Sequence, residues 1–214
     1  MRYWFYDVAK LILWLVFRLR FGLEVTGQEH VPKTGAFVVA SNHVSFLDPP
    51  VVGVACPRRL RFMARSDLFQ RSLLGCFLRG VRVMPLRRGE ADIGAVREAC
   101  ARLQEGEAVA IFPEGTRQLS GQLGRAKRGV GLLAEMAKVP IVPTFVQGTF
   151  QALPPEARAL RRAKIRVAFG PPIPYTTVSF EGGASRSRHE QLAEALTRQW
   201  RRLEAQVRSA RTTT

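Results

Sequence analysis

The amino-acid sequence predicts a single α/β domain with a largely parallel mixed sheet flanked by helices, preceded by an N-terminal apolar, amphipathic membrane-attachment helix. Short β-prone runs alternate with longer amphipathic stretches along most of the chain, as in a sheet built from strand–helix units. The 214 residues are 46% hydrophobic, which is enough to build one well-packed core. An aromatic and apolar run near the first residue predicts the attachment helix.

These observations divide the chain into three parts. We expect residues 1–22 to form the membrane-interfacial helix, residues 23–210 the folded domain, and residues 211–214 a frayed tail. Gly and Pro are concentrated at the junctions between the apolar runs, which is typical of turns and does not indicate a domain boundary.

The N-terminal segment, residues 4–17 (WFYDVAKLILWLVF), is mostly apolar but carries Asp7 and Lys10. Its uninterrupted part, residues 11–17, is far shorter than the roughly 20 residues that a membrane-spanning helix needs. Trp and Tyr side chains favour the headgroup level of a bilayer, and the arginines that follow can contact lipid phosphates. We therefore predict a helix that lies in the membrane interface. The alternative is a helix that packs only on the core of the domain.

The β-prone runs are rich in Val, Ile and Phe, and the stretches between them place apolar residues at helical spacing. The predicted strands are Ala36–Ala40, Leu60–Ala64, Val81–Leu86, Ala108–Phe112, Ile141–Val146 and Ile165–Phe169. The predicted helices lie near 49–55, 67–79, 91–105, 126–138 and 188–208. The last of these is long and amphipathic, which predicts a helix packed against the sheet.

The chain carries 33 basic and 17 acidic residues, a formal net charge of +16. This excess predicts a polyanionic partner of one of three classes, namely nucleic acid, an anionic membrane or a phosphorylated small molecule. Cys56, Cys76 and Cys100 are odd in number and widely spaced, which fits neither a disulfide framework nor a metal-binding pattern. We interpret them as reduced residues of the core.

The first candidate site follows the predicted strand Ala36–Ala40, where residues 41–48 read SNHVSFLD. Ligands of open α/β sheets bind at the carboxyl ends of strands. Asp48, directly before two prolines, is interpreted as a helix N-cap. His43 lies five residues earlier, so the chain can fold back to join the two side chains and make His43 a general base. The alternative is a simple cap beside an ordinary loop histidine.

No serine or cysteine lies in a Gly-x-Ser-x-Gly elbow, so the base would act on a hydroxyl group of the substrate. A second cluster, Phe112–Arg117 (FPEGTR), follows another strand. Gly115 allows a close backbone approach, and the Arg117 guanidinium suits phosphate. The alternative is a Glu114–Arg117 ion pair in a turn.

Two further clusters are basic. Residues 87–89 (RRG) follow the predicted strand Val81–Leu86, and residues 127–129 (KRG) open a predicted helix, whose N-terminus attracts anions. With the two clusters above, they predict a pocket for a phosphorylated substrate. A nucleic-acid-binding protein would instead show a basic stripe with interleaved aromatics or a known motif. The run Gly129–Ala134 matches a dinucleotide pattern, but it follows arginines and not a strand, so we interpret the match as chance.

The run Asn42-His43-x-Ser45-x-x-Asp48, followed further along by Phe112–Arg117, resembles the bacterial 1-acyl-sn-glycerol-3-phosphate acyltransferases of the glycerophospholipid acyltransferase family. Residues 85–89 resemble the second block of this family, and residues 139–143 (VPIVP) resemble its fourth. One departure lies in the second block, where the family has a glycine at the position of Arg82.

The resemblance implies that residues 23–210 are an acyltransferase domain. It implies acyl transfer from acyl-CoA or acyl carrier protein to the sn-2 hydroxyl of lysophosphatidic acid, giving phosphatidic acid, with His43 as base and Asp48 orienting it. The substrate-binding residues that it implies are Arg88, Glu114, Gly115, Thr116, Arg117 and Lys127. Glycerol 3-phosphate, another lysophospholipid, or an acylated lipid or amine remain alternative acceptors.

The resemblance also implies that the enzyme uses no metal or organic cofactor. The arginines are scattered and the Phe residues lie mainly among apolar neighbours, so we expect no nucleic-acid partner. The acceptor and product of the enzyme are lipids, which implies that it works at an anionic membrane surface. We expect it on the cytoplasmic face as a peripheral or monotopic protein.

Overall fold

The computed structural model describes residues 3–70, 72–86, 91–157, 159–177 and 187–209. The strands are β1 (Glu24–Thr26), β2 (Phe37–Ser41), β3 (Leu60–Arg61), β4 (Met63–Arg65), β5 (Met84–Leu86), β6 (Ala108–Ile111), β7 (Ile141–Gln147) and β8 (Arg166–Phe169). The helices are α1 (Trp4–Phe21), α2 (Asp48–Ala55), α3 (Ser72–Gly80), α4 (Ala91–Gln104), α5 (Gly129–Ala137), α6 (Thr149–Ala152) and α7 (Arg188–Ser209). Short 3₁₀ helices lie at Gln28–His30 and Ser66–Gln70.

The main sheet has six strands in the order β1-β8-β7-β2-β6-β3. All neighbouring pairs are parallel except β7 and β8, which are antiparallel. The predicted α/β class with a largely parallel mixed sheet flanked by helices is therefore confirmed. Strand β2 lies between β7 and β6, and its five residues are all buried. The loop that follows β2 thus starts near the middle of one sheet edge, beside the loop that follows β6.

The alternating side chains of β2 divide the core between the two faces of the sheet. Phe37 and Val39 pack in a cluster with residues of α1 and α2. Val38 and Ala40 pack on the other face, with residues of α4, α5 and α7. Trp200 of α7 is fully buried there, and its indole N–H donates a hydrogen bond of 3.0 Å to the carbonyl oxygen of Ala40. The last helix of the described chain therefore supports the strand that leads into the site.

Helix α1 buries one side and exposes the other. Tyr6, Phe17 and Phe21 pack into the domain, and the helix ends at Gly22, whose left-handed φ of 55° a glycine adopts without steric cost. The outward side is apolar, with Trp4 66% and Leu19 83% exposed. Of the helices in the described part of the chain, none is long and apolar enough to cross a bilayer.

The structure differs from the sequence-based predictions in several elements. The predicted strand at 60–64 divides into β3 and β4, and β4 pairs with β5 in a separate two-stranded sheet. The predicted strand at 81–86 is shortened to β5, because Val81 and Arg82 form a turn with a left-handed φ of 59° at Arg82. Strand β1 was not predicted. Cys56 and Cys100 are buried, but Cys76 is exposed, so its assignment to the core was wrong.

Candidate active site

The site lies where β2 and β6 end at the same edge of the sheet, as their parallel pairing requires. Asn42 fixes the start of the first loop to the neighbouring strand β7. Its side-chain amide donates to the carbonyl of Val146 at 3.0 Å and accepts from the N–H of Val146 at 2.7 Å. Farther along, the Ser45 hydroxyl donates to the carbonyl of Leu153 at 3.1 Å. These bonds hold the loop in one conformation before any substrate binds.

The predicted hydrogen bond between His43 and Asp48 is confirmed. The Nδ1 atom of His43 lies 2.8 Å from Oδ2 of Asp48, and the Asp48 carboxylate is fully buried. The same Oδ2 accepts the N–H groups of Val44 and Ser45, both at 2.7 Å. The His43 side chain remains 18% exposed. A carboxylate on Nδ1 fixes the tautomer, so Nε2 is the ring nitrogen that can take a proton from a ligand.

The helix-cap interpretation of Asp48 is wrong. Asp48 is the first residue of α2, its cap position is Leu47, and no side chain caps the helix. An N-cap oxygen accepts N–H groups two or three residues ahead, whereas here the carboxylate bonds back to Val44 and Ser45. Its second oxygen, Oδ1, is buried without a hydrogen-bond partner among the described residues. An imidazolium at His43 would offset this poorly solvated negative charge.

Glu114 joins the two loops of the site. It is only 2% exposed, and its carboxylate accepts the N–H of His43 at 3.3 Å and the N–H of Gly124 at 3.2 Å. Burial raises the pKa of Glu114 to about 7, against the lowering effect of these bonds and one from the Gln118 side chain. The Glu114 carboxylate thus contacts the main chain of His43, and its contact with the substrate stays a prediction.

We expect the Glu114→Gln substitution to flatten the pH dependence of folding stability. The ordinary pKa of 4.5 rises to about 7 on folding. The neutral carboxyl group of Glu114 therefore contributes its full stabilisation of the fold below pH 4.5. This contribution is lost as the pH rises through 7, and the free energy of unfolding falls by up to about 1.4 kcal/mol per pH unit. Urea unfolding at several pH values between 5 and 8 should show the native protein losing stability relative to the variant as the pH rises, because the glutamine amide stays neutral.

The matched control is Glu156→Gln, because Glu156 is an exposed glutamate outside the site. It should change stability by less than about 0.5 kcal/mol at every pH. A constant difference between the native protein and Glu114→Gln across this range would mean that Glu114 titrates normally.

Arg117 lies over an aromatic ring of the first loop. Its guanidinium carbon is 3.5 Å from the ring centroid of Phe46, which is itself 64% exposed. The alternative ion pair with Glu114 is not formed among the described residues, because the Glu114 carboxylate is taken up by main-chain N–H groups. A guanidinium stacked on a ring keeps its edge donors free for a ligand. Arg117 is thus stacked on a side chain of the loop that carries His43.

Gly115 and Lys127 are also brought together. Gly115 has a left-handed φ of 81°, and a Cβ atom there would lie 2.7 Å from Nζ of Lys127. The Lys127 N–H donates to the carbonyl of Pro113 at 2.8 Å. The glycine therefore leaves room for the ammonium group against the backbone of the loop. This close approach places a second positive charge at the site.

Thr116 and Arg88 are the other two residues predicted to bind the substrate. Thr116 is exposed, and its carbonyl accepts the Gln118 side chain at 3.4 Å. Arg88 and the rest of the 87–90 cluster lie outside the described residues. The preceding strand β5 belongs to the two-stranded sheet with β4. The expectation that this cluster follows a strand of the main sheet was therefore wrong. No group of three or more His, Cys, Asp or Glu in the described ranges is placed to hold a metal ion.

Sequence reasoning missed two supports of His43. The Phe112 ring stacks on the imidazole, with 4.3 Å between ring centroids and 28° between planes. The N–H of Gln118 donates to the His43 carbonyl at 2.8 Å. Phe112 stood in the matched run, but it was treated as the end of a strand. The nearness of β2 and β6 in a parallel sheet was the signal that could have placed its ring against His43.

Comparisons with known proteins show the family of this chain. A family model described as Acyltransferase matches residues 22–147. The 1-acyl-sn-glycerol-3-phosphate acyltransferase of Bacillus subtilis (strain 168) is 31% identical over 201 residues, which is 93% of this chain and 96% of that protein. The human 1-acyl-sn-glycerol-3-phosphate acyltransferase alpha is 32% identical over 79% of this chain, which spans 62% of the human protein.

A solved structure has the same fold. The crystal structure of the 1-acyl-sn-glycerophosphate acyltransferase from Thermotoga maritima superposes with a TM-score of 0.71 at 22% identity, covering 94% of this chain and 80% of that one.

Proposed function

The chain belongs to the acyltransferase family, and on this basis we propose that it moves a fatty acyl group from a thioester donor to the sn-2 hydroxyl of lysophosphatidic acid, giving phosphatidic acid. The observation that carries the proposal is the His43–Asp48 pair at the carboxyl edge of the sheet, with Arg117 and Lys127 beside it. The names of the relatives from Bacillus subtilis and human supply the acceptor.

The chemical step uses His43 as a general base. As the acceptor oxygen attacks the thioester carbonyl, Nε2 takes the hydroxyl proton, and the resulting imidazolium is stabilised by the buried Asp48 carboxylate. The carbon–sulfur bond breaks, and the thiol leaves with the proton returned by His43. Because the acceptor hydroxyl attacks directly, no acyl-enzyme is needed. Base catalysis of this kind contributes about 10²–10⁴-fold.

The acceptor is held through its phosphate. Arg117 presents free donors of its guanidinium, and Lys127 adds a compact positive charge near the Gly115 backbone. Arg88, the arginine of the second family block, is proposed as a third phosphate contact. Fixing the phosphate places the sn-2 hydroxyl against His43 and converts the reaction into an effectively intramolecular one. The donor is acyl-CoA or acyl carrier protein.

An acceptor panel tests the proposed function. Purified full-length protein in detergent is given acyl-CoA or acyl carrier protein thioesters, together with one acceptor at a time, and the products are identified by mass spectrometry. Lysophosphatidic acid should be converted to phosphatidic acid, and His43→Ala should abolish the product. Preferred acylation of glycerol 3-phosphate, another lysophospholipid, or an acylated lipid or amine would support the alternative acceptors. No product from any pair would refute the proposal.

We expect Arg117→Lys to raise KM for lysophosphatidic acid about 10- to 100-fold, since a lost charge-assisted bidentate contact costs about 1–3 kcal/mol. The KM for the acyl donor should change little, because Arg117 is proposed to hold the acceptor. Steady-state kinetics with each substrate varied in turn measures both values. Arg202→Lys, an exposed arginine of α7, is the control and should leave both constants unchanged. A selective rise in the donor KM would reverse the assignment.

Helix α1 is proposed to attach the protein to the membrane interface, as a peripheral or monotopic protein on the cytoplasmic face where the thioester donors are found. The outward side of α1 carries exposed apolar residues, and Leu73 of α3 adds an apolar side chain that is 87% exposed. The net charge of +16 favours an anionic surface. In this arrangement the acceptor and product stay in the bilayer beside the site.

Removing α1 altogether would also remove Tyr6, Phe17 and Phe21 from the core. Attachment is better tested with the triple variant Trp4→Gln, Leu11→Gln, Leu19→Gln, because all three side chains are exposed. We expect its sedimentation with anionic liposomes to weaken at least about tenfold, since each large apolar side chain removed from water contributes about 1.5–3 kcal/mol.

The control for attachment replaces Met136 and Leu160, exposed apolar residues outside α1, with glutamine and should sediment like the native protein. Binding that remains in the triple variant should weaken with salt, because it rests on screened charge. Equal sedimentation of the triple variant and the native protein would refute a role for α1.

A further inference from the structure

A cavity of about 390 Å³ lies at the end of the sheet opposite to the active site. Its wall includes the first turns of α1 and the amino ends of β3 and β6, where Leu60 and Ala108 contribute. Because β2, β3 and β6 are parallel, the loops that carry His43 and Arg117 leave the sheet at its other end. The cavity is therefore separate from the proposed site of acyl transfer.

The wall of this cavity holds more positive than negative charge. Its cations are Lys10, Arg58, Arg59, Arg61 and Arg82, and its carboxylates are Asp7 and Glu107. The two carboxylates form bidentate pairs with Arg59 and Arg61, at distances of 2.6–2.7 Å. Lys10 and Arg58 donate to neutral main-chain carbonyl groups. Five cations thus face two carboxylates, and among the described residues Arg82 forms no ion pair.

Three of these guanidinium groups surround a single aromatic ring. The guanidinium carbons of Arg82, Arg59 and Arg61 lie 4.4, 4.8 and 5.9 Å from the ring centroid of Tyr3. Asp7 and Glu107 offset the charges of Arg59 and Arg61, so Arg82 is the guanidinium around this ring that has no carboxylate partner among the described residues. A bound anion in the cavity would supply that partner.

The turn that carries Arg82 ends α3. Arg82 has a left-handed φ of 59°, and this conformation is typical of a helix C-terminus. The N–H of Arg82 donates to the carbonyl of Arg79 at 3.0 Å, and the N–H of Val83 donates to the carbonyl of Leu78 at 2.9 Å. The turn thereby directs the guanidinium of Arg82 into the cavity, over the ring of Tyr3.

We propose that this cavity binds a phosphate monoester, with Arg82 as its principal contact. Planar guanidinium groups bind phosphate oxygens through paired N–H donors, and the volume accommodates a phosphate together with a small group such as glycerol. A bound phosphate would link the first turn of α1 to the 81–82 turn and to β3. The same chemistry is offered by the headgroup of an anionic phospholipid and by a soluble phosphate ester.

Hydrogen–deuterium exchange of the full-length protein tests this proposal, because it reports on each region separately. Inorganic phosphate, compared with chloride at equal ionic strength, should slow exchange in residues 3–10 and 80–84. In Arg82→Gly, which keeps the turn but removes the guanidinium, the phosphate concentration for half-protection should rise at least about tenfold. Arg82→Asn, which also tolerates the left-handed conformation, should behave in the same way.

The matched control is Lys138→Gly. Lys138 is the other described non-glycine residue with a positive φ, at 54°, and it ends α5 away from the cavity. This substitution relieves the same kind of backbone strain and removes the same charge, so protection by phosphate should be unchanged.

The source of the phosphate is distinguished by the probe. With vesicles, only residues 80–84 report on the cavity, because membrane attachment of α1 would itself protect residues 3–10. Protection of residues 80–84 by inorganic phosphate and by phosphatidic acid vesicles, but not by phosphatidylcholine vesicles, indicates any phosphate monoester, and protection by phosphatidic acid vesicles alone indicates a lipid headgroup. Protection confined to residues 113–118 would be binding at the active site only and would overturn the proposal. Equal protection of residues 3–10 by inorganic phosphate in the native protein and in Arg82→Gly would also overturn it.

Discussion

Replacing His43 with alanine is expected to lower kcat at least about 100-fold, because the variant has no general base for the acceptor hydroxyl. KM for both substrates should change much less, since the phosphate contacts are proposed to lie on Arg117 and Lys127. Acyl transfer to lysophosphatidic acid, measured under saturating donor, checks this expectation. A kcat within a few-fold of that of the native protein would exclude His43 as the base.

The His43→Ala variant should still fold. The Asp48 carboxylate keeps its two hydrogen bonds from the N–H groups of Val44 and Ser45, so it is not left unpaired. The lost ring contact with Phe112 is at the edge of the core. Thermal unfolding of the variant should show one cooperative transition, as for the native protein. The control His189→Ala, on α7 and remote from the site, should keep its kcat within about twofold while removing a comparable ring.

Asp48→Asn is expected to lower kcat by about two orders of magnitude or more, with a much smaller effect on stability. One Asp48 oxygen accepts all three bonds, from His43, Val44 and Ser45, and the amide oxygen of asparagine can accept the same three. The geometry is therefore kept, but the charge that stabilises the imidazolium is lost. Parallel measurements of kcat and of urea unfolding separate these two contributions.

The Asp48→Ala variant is the comparison. It removes the acceptor for the two loop N–H groups and should lose both stability and activity, because buried N–H groups without partners are costly. If Asp48→Asn kept full activity while Asp48→Ala did not, Asp48 would serve only to hold the loop.

Much of the site could be predicted from the sequence, because its residues lie close together in short segments that follow strands of a parallel sheet. His43 and Asp48 lie in a short segment after a strongly apolar strand, and the carboxyl ends of parallel strands meet at one sheet edge. That rule brings the Glu114 loop to His43 across a long stretch of sequence. The predicted core strands were confirmed because their Val- and Ile-rich runs pair in the interior.

The parts that sequence could not predict depend on burial and on backbone geometry. The spacing of Glu114 and Arg117 is compatible with an ion pair, but the Glu114 carboxylate is buried under His43 and Arg117 instead meets Phe46. Asp48 looked like a cap because prolines follow it, yet the backward turn of the loop decides which N–H groups it accepts. The predicted strand at 60–64 is broken because β3 joins the main sheet while β4 pairs with β5. The residues of this segment alone do not show that pairing.

The hydrogen bond from Trp200 to the carbonyl of Ala40 joins residues that are 160 positions apart in sequence. During translation, β2 and the loop with His43 leave the ribosome long before α7 is made. Until then, the face of β2 that packs against α4 and α5 lacks its contacts with Leu192, Leu196 and Trp200. Contacts between such distant segments form late and slowly. The nascent chain therefore carries His43 and Asp48 while still lacking the helix that supports β2, and the packing of this strand is completed only after α7 has been made.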